Sequence, residues 1–141
     1  MTDLTALFID LIRAETHVFN RIDARMRAAH DLTLGQFEFL RILAGRASCR
    51  VYDIAHEVDI TVGATSKAVD RLEARGWCRR DANPDDRRSS LIVLTDAGRE
   101  ALAAARPTFD AAMAAQVAGL PEALVETLTE GLAEWRRRLE A

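Results

Sequence analysis

The chain has 141 residues, which is the length of a single domain with a sizeable core. Its 49% hydrophobic and 29% charged residues are typical of a globular protein, and no stretch approaches the roughly 20 apolar residues of a membrane span. The net charge of −3 does not suggest nucleic acid, but residues 67–88 hold seven Lys or Arg against five Asp or Glu, so one segment is positive.

The first predicted element is a long amphipathic helix. Apolar residues recur at helical spacing from Leu4 to Ile22. A second helix is predicted after Thr33, because Thr33 and Gln36 have the spacing of a capping box. Gly45 is a suitable end for that helix.

Two short helices joined by a few residues are predicted next. The pattern indicates extended backbone at residues 49–51 and a helix over residues 53–58. A further helix begins after the N-cap residue Thr61, runs to about residue 75 and ends at Gly76. Such a pair is typical of a helix-turn-helix, although many all-α proteins contain one.

A β-hairpin is predicted directly after this pair. It has a strand at residues 77–81, a polar loop with turn chemistry at Asn83-Pro84, and an apolar strand at residues 91–94. A charged hairpin in this position is a wing, and the order of elements is more specific than either part alone. The sequence therefore predicts a mainly α fold with a small β-hairpin wing, with about six helices and two to three short strands.

Two predicted helices complete the chain, one capped by Thr95 and one beginning near Pro121. The apolar faces of the first and last helices exceed what a winged module of 60 residues can bury, so we expect a homodimer. Residues 33–98 would form the DNA-binding lobe, and residues 1–30 and 99–141 a helical dimerisation region. The residues expected at the dimer interface are Leu4, Leu7, Phe8, Leu11, Leu128, Leu132 and Trp135.

The second helix of the pair and the wing carry the residues expected to contact DNA. The N-terminal end of that helix would enter the major groove, where Gly63 allows close approach and Val62 reaches a thymine methyl. Arg87 and Arg88 suit a narrow minor groove, with Asp86 ordering Arg88. The other interpretation is a solvated helix face and a surface ion-pair cluster. The predicted set is Thr61, Val62, Gly63, Thr65, Ser66, Lys67, Arg71, Asp86, Arg87 and Arg88.

Three motifs lie in these segments, namely Asp70-Arg71-Leu72-Glu73-x-x-Gly76-Trp77-x-x-Arg80, Asn83-Pro84-x-Asp86-x-Arg88 and Leu94-Thr95-x-x-Gly98. With these motifs, about residues 33–98 resemble the MarR family of transcriptional regulators. The resemblance implies a triangular homodimer on a near-palindromic double-stranded DNA operator, with Ser66 and Lys67 reading the groove. It also implies a repressor released by a small lipophilic or phenolic effector, bound between the dimerisation helices and the DNA-binding lobe.

No signature of an enzyme or a cofactor site is found, because phosphate-binding loops, dinucleotide glycine motifs and nucleophile elbows are absent. His17, His30 and His56 are scattered without metal-ligand spacing. Two alternatives stay open, namely a winged-helix protein-interaction module without DNA binding and a thiol-redox protein using Cys49 or Cys78. The N-terminus lacks the basic region of a signal peptide, so we expect a cytoplasmic protein.

Overall fold

The computed structural model describes residues 1–141 and contains six helices and one antiparallel pair of strands. This confirms the predicted mainly α fold with a hairpin. None of the six helices has the length and hydropathy that crossing a membrane requires. The elements are α1 (Leu4–His30), α2 (Leu34–Ala44), α3 (Val51–Val58), α4 (Val62–Ala74), β1 (Cys78–Ala82), β2 (Ser90–Leu94), α5 (Asp96–Val117) and α6 (Glu122–Glu140).

Threonine side chains determine where three of the helices begin. Thr33 and Gln36 exchange two hydrogen bonds of 3.0 Å, which confirms the predicted capping box of α2. Thr61 accepts from the backbone N–H of Ala64 at 3.1 Å, and Thr95 caps α5 in the same way. Each threonine satisfies an N–H group that the first helical turn leaves without a partner.

The prediction for the start of α3 is wrong. We expected extended backbone at residues 49–51, but α3 already begins at Val51. The Asp53 carboxylate accepts from the backbone N–H of Arg50 at 2.9 Å and from its guanidinium at 3.1 Å, which stabilises an earlier first turn. Arg50, the N-cap residue, is still extended, and Cys49 before it pairs with Ile92 through an isolated bridge. The sheet therefore has two full strands and one single-residue neighbour.

The hairpin pairs β1 and β2 with Cys78 opposite Leu94 and Ala82 opposite Ser90. Both strands lie within a residue of their predicted bounds. Ile92 and Leu94 are buried and alternate with half-buried neighbours, so one face of the hairpin packs on the helices.

The core lies where α2 meets the hairpin, α4, α5 and the C-terminal part of α1. Phe37 of α2 stacks on Phe109 of α5 with ring centroids 4.8 Å apart. Met26 of α1, Leu72 of α4 and Ile92 of β2 are fully buried around them. Helix α6 and the part of α1 before Ile22 contribute no buried residue to this core.

A close contact at Gly98 joins the start of α5 to the residue before β1. A Cβ atom on Gly98 would lie 2.1 Å from the carbonyl oxygen of Trp77, so no side chain fits there. The Thr95 hydroxyl donates to the carbonyl of Gly76 at 2.6 Å and accepts from the N–H of Gly98 at 3.1 Å. The Leu-Thr-x-x-Gly motif thus has a structural explanation.

A second junction joins the C-terminal ends of α4 and α1. The guanidinium of Arg75 lies 3.8 Å from the ring centroid of Trp77 and donates to the carbonyl of Asp31. It also lies 3.7 Å from the Asp31 carboxylate, and Asp31 has a left-handed backbone with φ of 51°. These contacts of Arg75 therefore hold the C-terminal end of α4 against the C-terminal end of α1.

Candidate nucleic-acid interface

Helix α4 has one buried side and one exposed side. Val69 and Leu72 are fully buried and hold the helix against the core. The predicted contact residues Thr61, Val62, Gly63, Lys67 and Arg71 are exposed, and Ser66 is half-buried.

Thr65, in contrast, was wrongly included among the expected DNA contacts. Its side chain is fully buried, and its hydroxyl donates to the carbonyl of Thr61 at 2.9 Å. Thr65 shares the inward side of α4 with Val69 and Leu72, at the i, i+4, i+7 spacing of a core stripe. That spacing is a signal in the sequence that would have excluded Thr65.

The wing tip has the ordered arginine that the sequence suggested. One oxygen of the Asp86 carboxylate accepts from the backbone N–H of Arg88 at 2.9 Å and from its Nε at 3.1 Å. These two bonds hold the pKa of Asp86 below its usual value, the backbone N–H being the larger cause. The Arg88 side chain is nevertheless 92% exposed, and Arg87 beside it is exposed too. The wing thus presents an oriented cation to solvent.

The wing is fastened to α4 by Arg80 of β1. Its guanidinium lies 2.7 Å from the Asp70 carboxylate and 3.1 Å from that of Glu73, and its backbone N–H donates to Glu73 at 3.0 Å. The Arg80 guanidinium also donates to the backbone carbonyl of Ser66 at 3.4 Å. Sequence reasoning quoted Asp70, Glu73 and Arg80 as a motif but missed this role, which the opposite charges could have indicated.

A cleft of about 300 Å³ separates the start of α3, the first turns of α4 and the wing. Sequence reasoning also missed Arg50 and Tyr52, which line this cleft, because their positions depend on how α3 packs beside α4. The Arg50 guanidinium lies 5.7 Å from the Tyr52 ring centroid, and Tyr52 is exposed. Val62, Ser66 and Arg88 line the same cleft. We call the exposed residues among 61–67 together with residues 86–88 the α4–wing surface.

Neither cysteine has the environment of a reactive thiol. Both side chains are buried, and burial raises the pKa of Cys49 and raises the pKa of Cys78 to about 11. Because the thiolate is the nucleophile, these shifts argue against the thiol-redox alternative. No group of three or more His, Cys, Asp or Glu side chains is placed to hold a metal ion.

Comparison with known proteins gives matches to one family. The family model described as "MarR family" matches residues 32–90. The uncharacterized HTH-type transcriptional regulator YwhA of Bacillus subtilis (strain 168) is 40% identical over 62 residues, which is 44% of this chain and 45% of that relative. The chain spans about half the length of the curated relatives that it matches.

Solved structures extend the similarity to nearly the whole chain. Sco3205, a MarR family transcriptional regulator from Streptomyces coelicolor in complex with DNA, superposes with a TM-score of 0.87 and 26% identity, covering 97% of this chain and 88% of that one. The transcriptional repressor CouR, bound to a 23-mer DNA duplex, gives 0.81 and 31% identity over 89% of both chains. This chain therefore belongs to the MarR family.

Proposed function

We propose that this protein is a sequence-specific, double-stranded DNA-binding transcriptional regulator that acts as a homodimer on a near-palindromic operator. The observation that carries the proposal is the α4–wing surface. There the exposed start of a helix and an oriented arginine face the same side of the chain, and Arg80 fixes their relative position. The DNA complexes of Sco3205 and CouR support the same partner.

In this proposal, the start of α4 enters the major groove and the wing lies along the neighbouring minor groove. Ser66 and Lys67 would reach base edges or phosphates, and Arg71 would contact the backbone from the next turn. Arg88 would enter the minor groove, where the negative potential of a narrow A·T tract attracts arginine. Because Asp86 already orients the Arg88 side chain, less conformational entropy is lost on binding.

The helical ends support the homodimer. Leu7 and Phe8 of α1 and Leu128 of α6 are large apolar side chains that the protomer leaves 44–64% exposed. Leu11, Leu132 and Trp135 line an apolar groove of about 190 Å³ between the two helices. We propose that residues 1–30 and 99–141 pair with a second copy, which would hold two α4 helices about one DNA turn apart, matching two half-sites.

We further propose that the protein is a repressor released by a small lipophilic or phenolic effector. An effector can weaken DNA binding only if it prefers a dimer whose two lobes do not fit the operator. The Arg75 and Gly98 junctions support such coupling, because they connect α4 and the wing to α1 and α5.

The test is selection of DNA from a random pool by the purified protein, followed by sequencing and a salt series. We expect an inverted repeat with half-site centres about 10 base pairs apart and an affinity that falls steeply with salt. A Lys67→Ala/Arg88→Ala variant, carried through the same selection, should enrich no such sequence. If the wild-type protein enriches none either, the alternative of a protein-interaction module replaces this proposal.

A further inference from the structure

The first turn of α4 presents only small or apolar side chains to the outside. Val62 is 51% exposed, and Gly63 and Ala64 are exposed beside it. The hydroxyl of Thr61 caps the helix by accepting from the N–H of Ala64 at 3.1 Å. The part of the helix that would reach deepest into a groove therefore offers methyl groups rather than hydrogen-bonding side chains.

Farther along α4, few polar side chains are available to hydrogen-bond with base edges. The helix contains no Asn or Gln, the side chains that pair with adenine through two hydrogen bonds. Its two carboxylates, Asp70 and Glu73, are bound to Arg80, and Thr65 is buried. The polar side chains left for base edges are Ser66, Lys67 and Arg71.

Nothing inside the protein occupies the space around the first turn. A Cβ atom on Gly63 would meet no atom within 4 Å, so the fold itself does not require glycine there. Val62 and Arg88 line the same cleft, so a DNA duplex that Arg88 contacts also lies beside Val62. In the major groove, the one apolar group that distinguishes the bases is the 5-methyl group of thymine.

We propose that this protein recognises thymine through the first turn of α4, with Val62 packing on the 5-methyl group of one thymine in each half-site. Gly63 allows the backbone to approach the base edges closely enough for this contact. Lys67 adds affinity that does not depend on the methyl group. This inference rests on the proposed function, because it presupposes that α4 enters the major groove.

The experiment uses the operator obtained by the selection described above. Each thymine of a half-site is replaced by deoxyuridine, which removes only the 5-methyl group, and the same change is made in the other half-site. Affinities of the wild type, Val62→Ala and Lys67→Ala are measured by fluorescence anisotropy. Because alanine favours helix more than valine, Val62→Ala keeps the fold, which a thermal melt checks.

We expect one thymine position at which uracil weakens wild-type binding by about fourfold, and about fifteenfold when both half-sites are changed. Val62→Ala should bind the thymine operator about as weakly as the wild type binds the uracil operator, and uracil should cost it nothing more. Lys67→Ala should weaken binding to both operators by the same factor. Thymines outside the half-sites serve as controls and should tolerate uracil.

The proposal is wrong if no uracil substitution weakens wild-type binding, or if Val62→Ala remains as sensitive to uracil as the wild type. Either result leaves the proposed function intact, because an operator has then been found and bound. If the selection yields no operator, the proposed function itself fails, and this inference fails with it.

Discussion

The α4–wing surface and the helical ends of the protomer are built in opposite ways. At the wing, Arg80 joins β1 to α4, and Arg88 is held by Asp86 while remaining exposed. Helix α6 buries none of its 19 residues and displays a row of half-exposed leucines. The first surface is complete within one protomer, whereas the second would be covered by a second copy in the proposed dimer.

The two surfaces also differ in what their contacts contribute. The ion pairs of the half-buried Arg80 and the exposed Arg88 lie at the protein surface, where such pairs add little to folding stability, so their main effect is on orientation. Apolar area removed from water contributes in proportion to its extent, so covering the helical ends in the proposed dimer would be the larger stabilising step. In proteins, most of a helix's stability comes from packing its apolar face, and α6 buries no residue within the protomer. We therefore expect α6 to gain much of its stability from the proposed assembly.

The largest expected effect follows from placing a charge on the apolar row. Leu132→Glu or Leu11→Glu would bury a carboxylate without a partner, at a cost of about 3–5 kcal/mol for each one. The dimer dissociation constant should rise by more than about a hundredfold, and operator binding should be lost with it. Light scattering and operator titration measure the two losses.

Glu130→Lys, on the exposed polar side of α6, is the matched control for this pair and should dimerise normally. A wild-type protein that is monomeric at micromolar concentration yet binds its operator tightly would refute the dimer.

The second effect concerns the Gly98 junction. Gly98→Ala should lower the free energy of unfolding by about 1–3 kcal/mol, because the new methyl group would overlap the carbonyl of Trp77. Gly131→Ala in α6, where a Cβ meets nothing within 4 Å, should raise it by up to about 1 kcal/mol. Urea unfolding at one fixed protein concentration compares the two variants. Equal stabilities would mean that the close approach at Gly98 has no energetic consequence.

The third effect is on salt dependence and concerns the wing alone. Arg88→Ala should remove about two cation–DNA contacts per dimer and flatten the slope of log K against log salt by roughly two units. Asp86→Ala should weaken binding but flatten the slope less, because it frees the arginine without removing its charge. Operator affinity across a salt series measures both variants. If the plots of log K against log salt for the wild type, Arg88→Ala and Asp86→Ala superimpose, the wing does not contact DNA.

The last effect concerns pH and the buried thiol of Cys78 in β1. Burial raises the pKa of Cys78 in the folded protein from about 9 to about 11. The protonated thiol therefore contributes its full share of folding stability below pH 9, and this share is lost as pH rises through 11. The free energy of unfolding should therefore fall between pH 9 and 11. At pH 8 the native thiol has about one hundredth of the thiolate of an ordinary cysteine, so alkylation should be slow until denaturant is added. Rapid alkylation of the native protein would revive the thiol-redox alternative.

Local chemistry made much of the fold predictable. The threonine caps, the apolar periodicity and the turn at Asn83-Pro84 each act within a few residues, and they located six helices and the hairpin closely. The Asp86–Arg88 contact was predictable for the same reason, because the two residues are neighbours on one tight turn.

The errors have two causes, which are packing between distant segments and local contacts that the residue pattern did not reveal. Thr65 is polar, yet the core beneath α4 buries it, and its hydroxyl is satisfied by its own helix. The start of α3 depends on one carboxylate that reaches back to Arg50, which outweighs the β-like pattern of residues 49–51. Arg80 and Tyr52 were missed because their positions depend on how the hairpin and α3 pack beside α4.

Because Arg75 binds Asp31, a rotation of α1 would move the attached end of α4 with it. Helix α1 has 27 residues and is therefore about 40 Å long, with its apolar N-terminal half at one end and the attachment of α4 at the other. A tilt of about 5° around the N-terminal end would carry the attachment through about 3.5 Å. That distance is about the 3.4 Å rise from one base to the next along a DNA strand. In the proposed dimer, a small rotation where the two copies meet would therefore move α4 by about the spacing of one base.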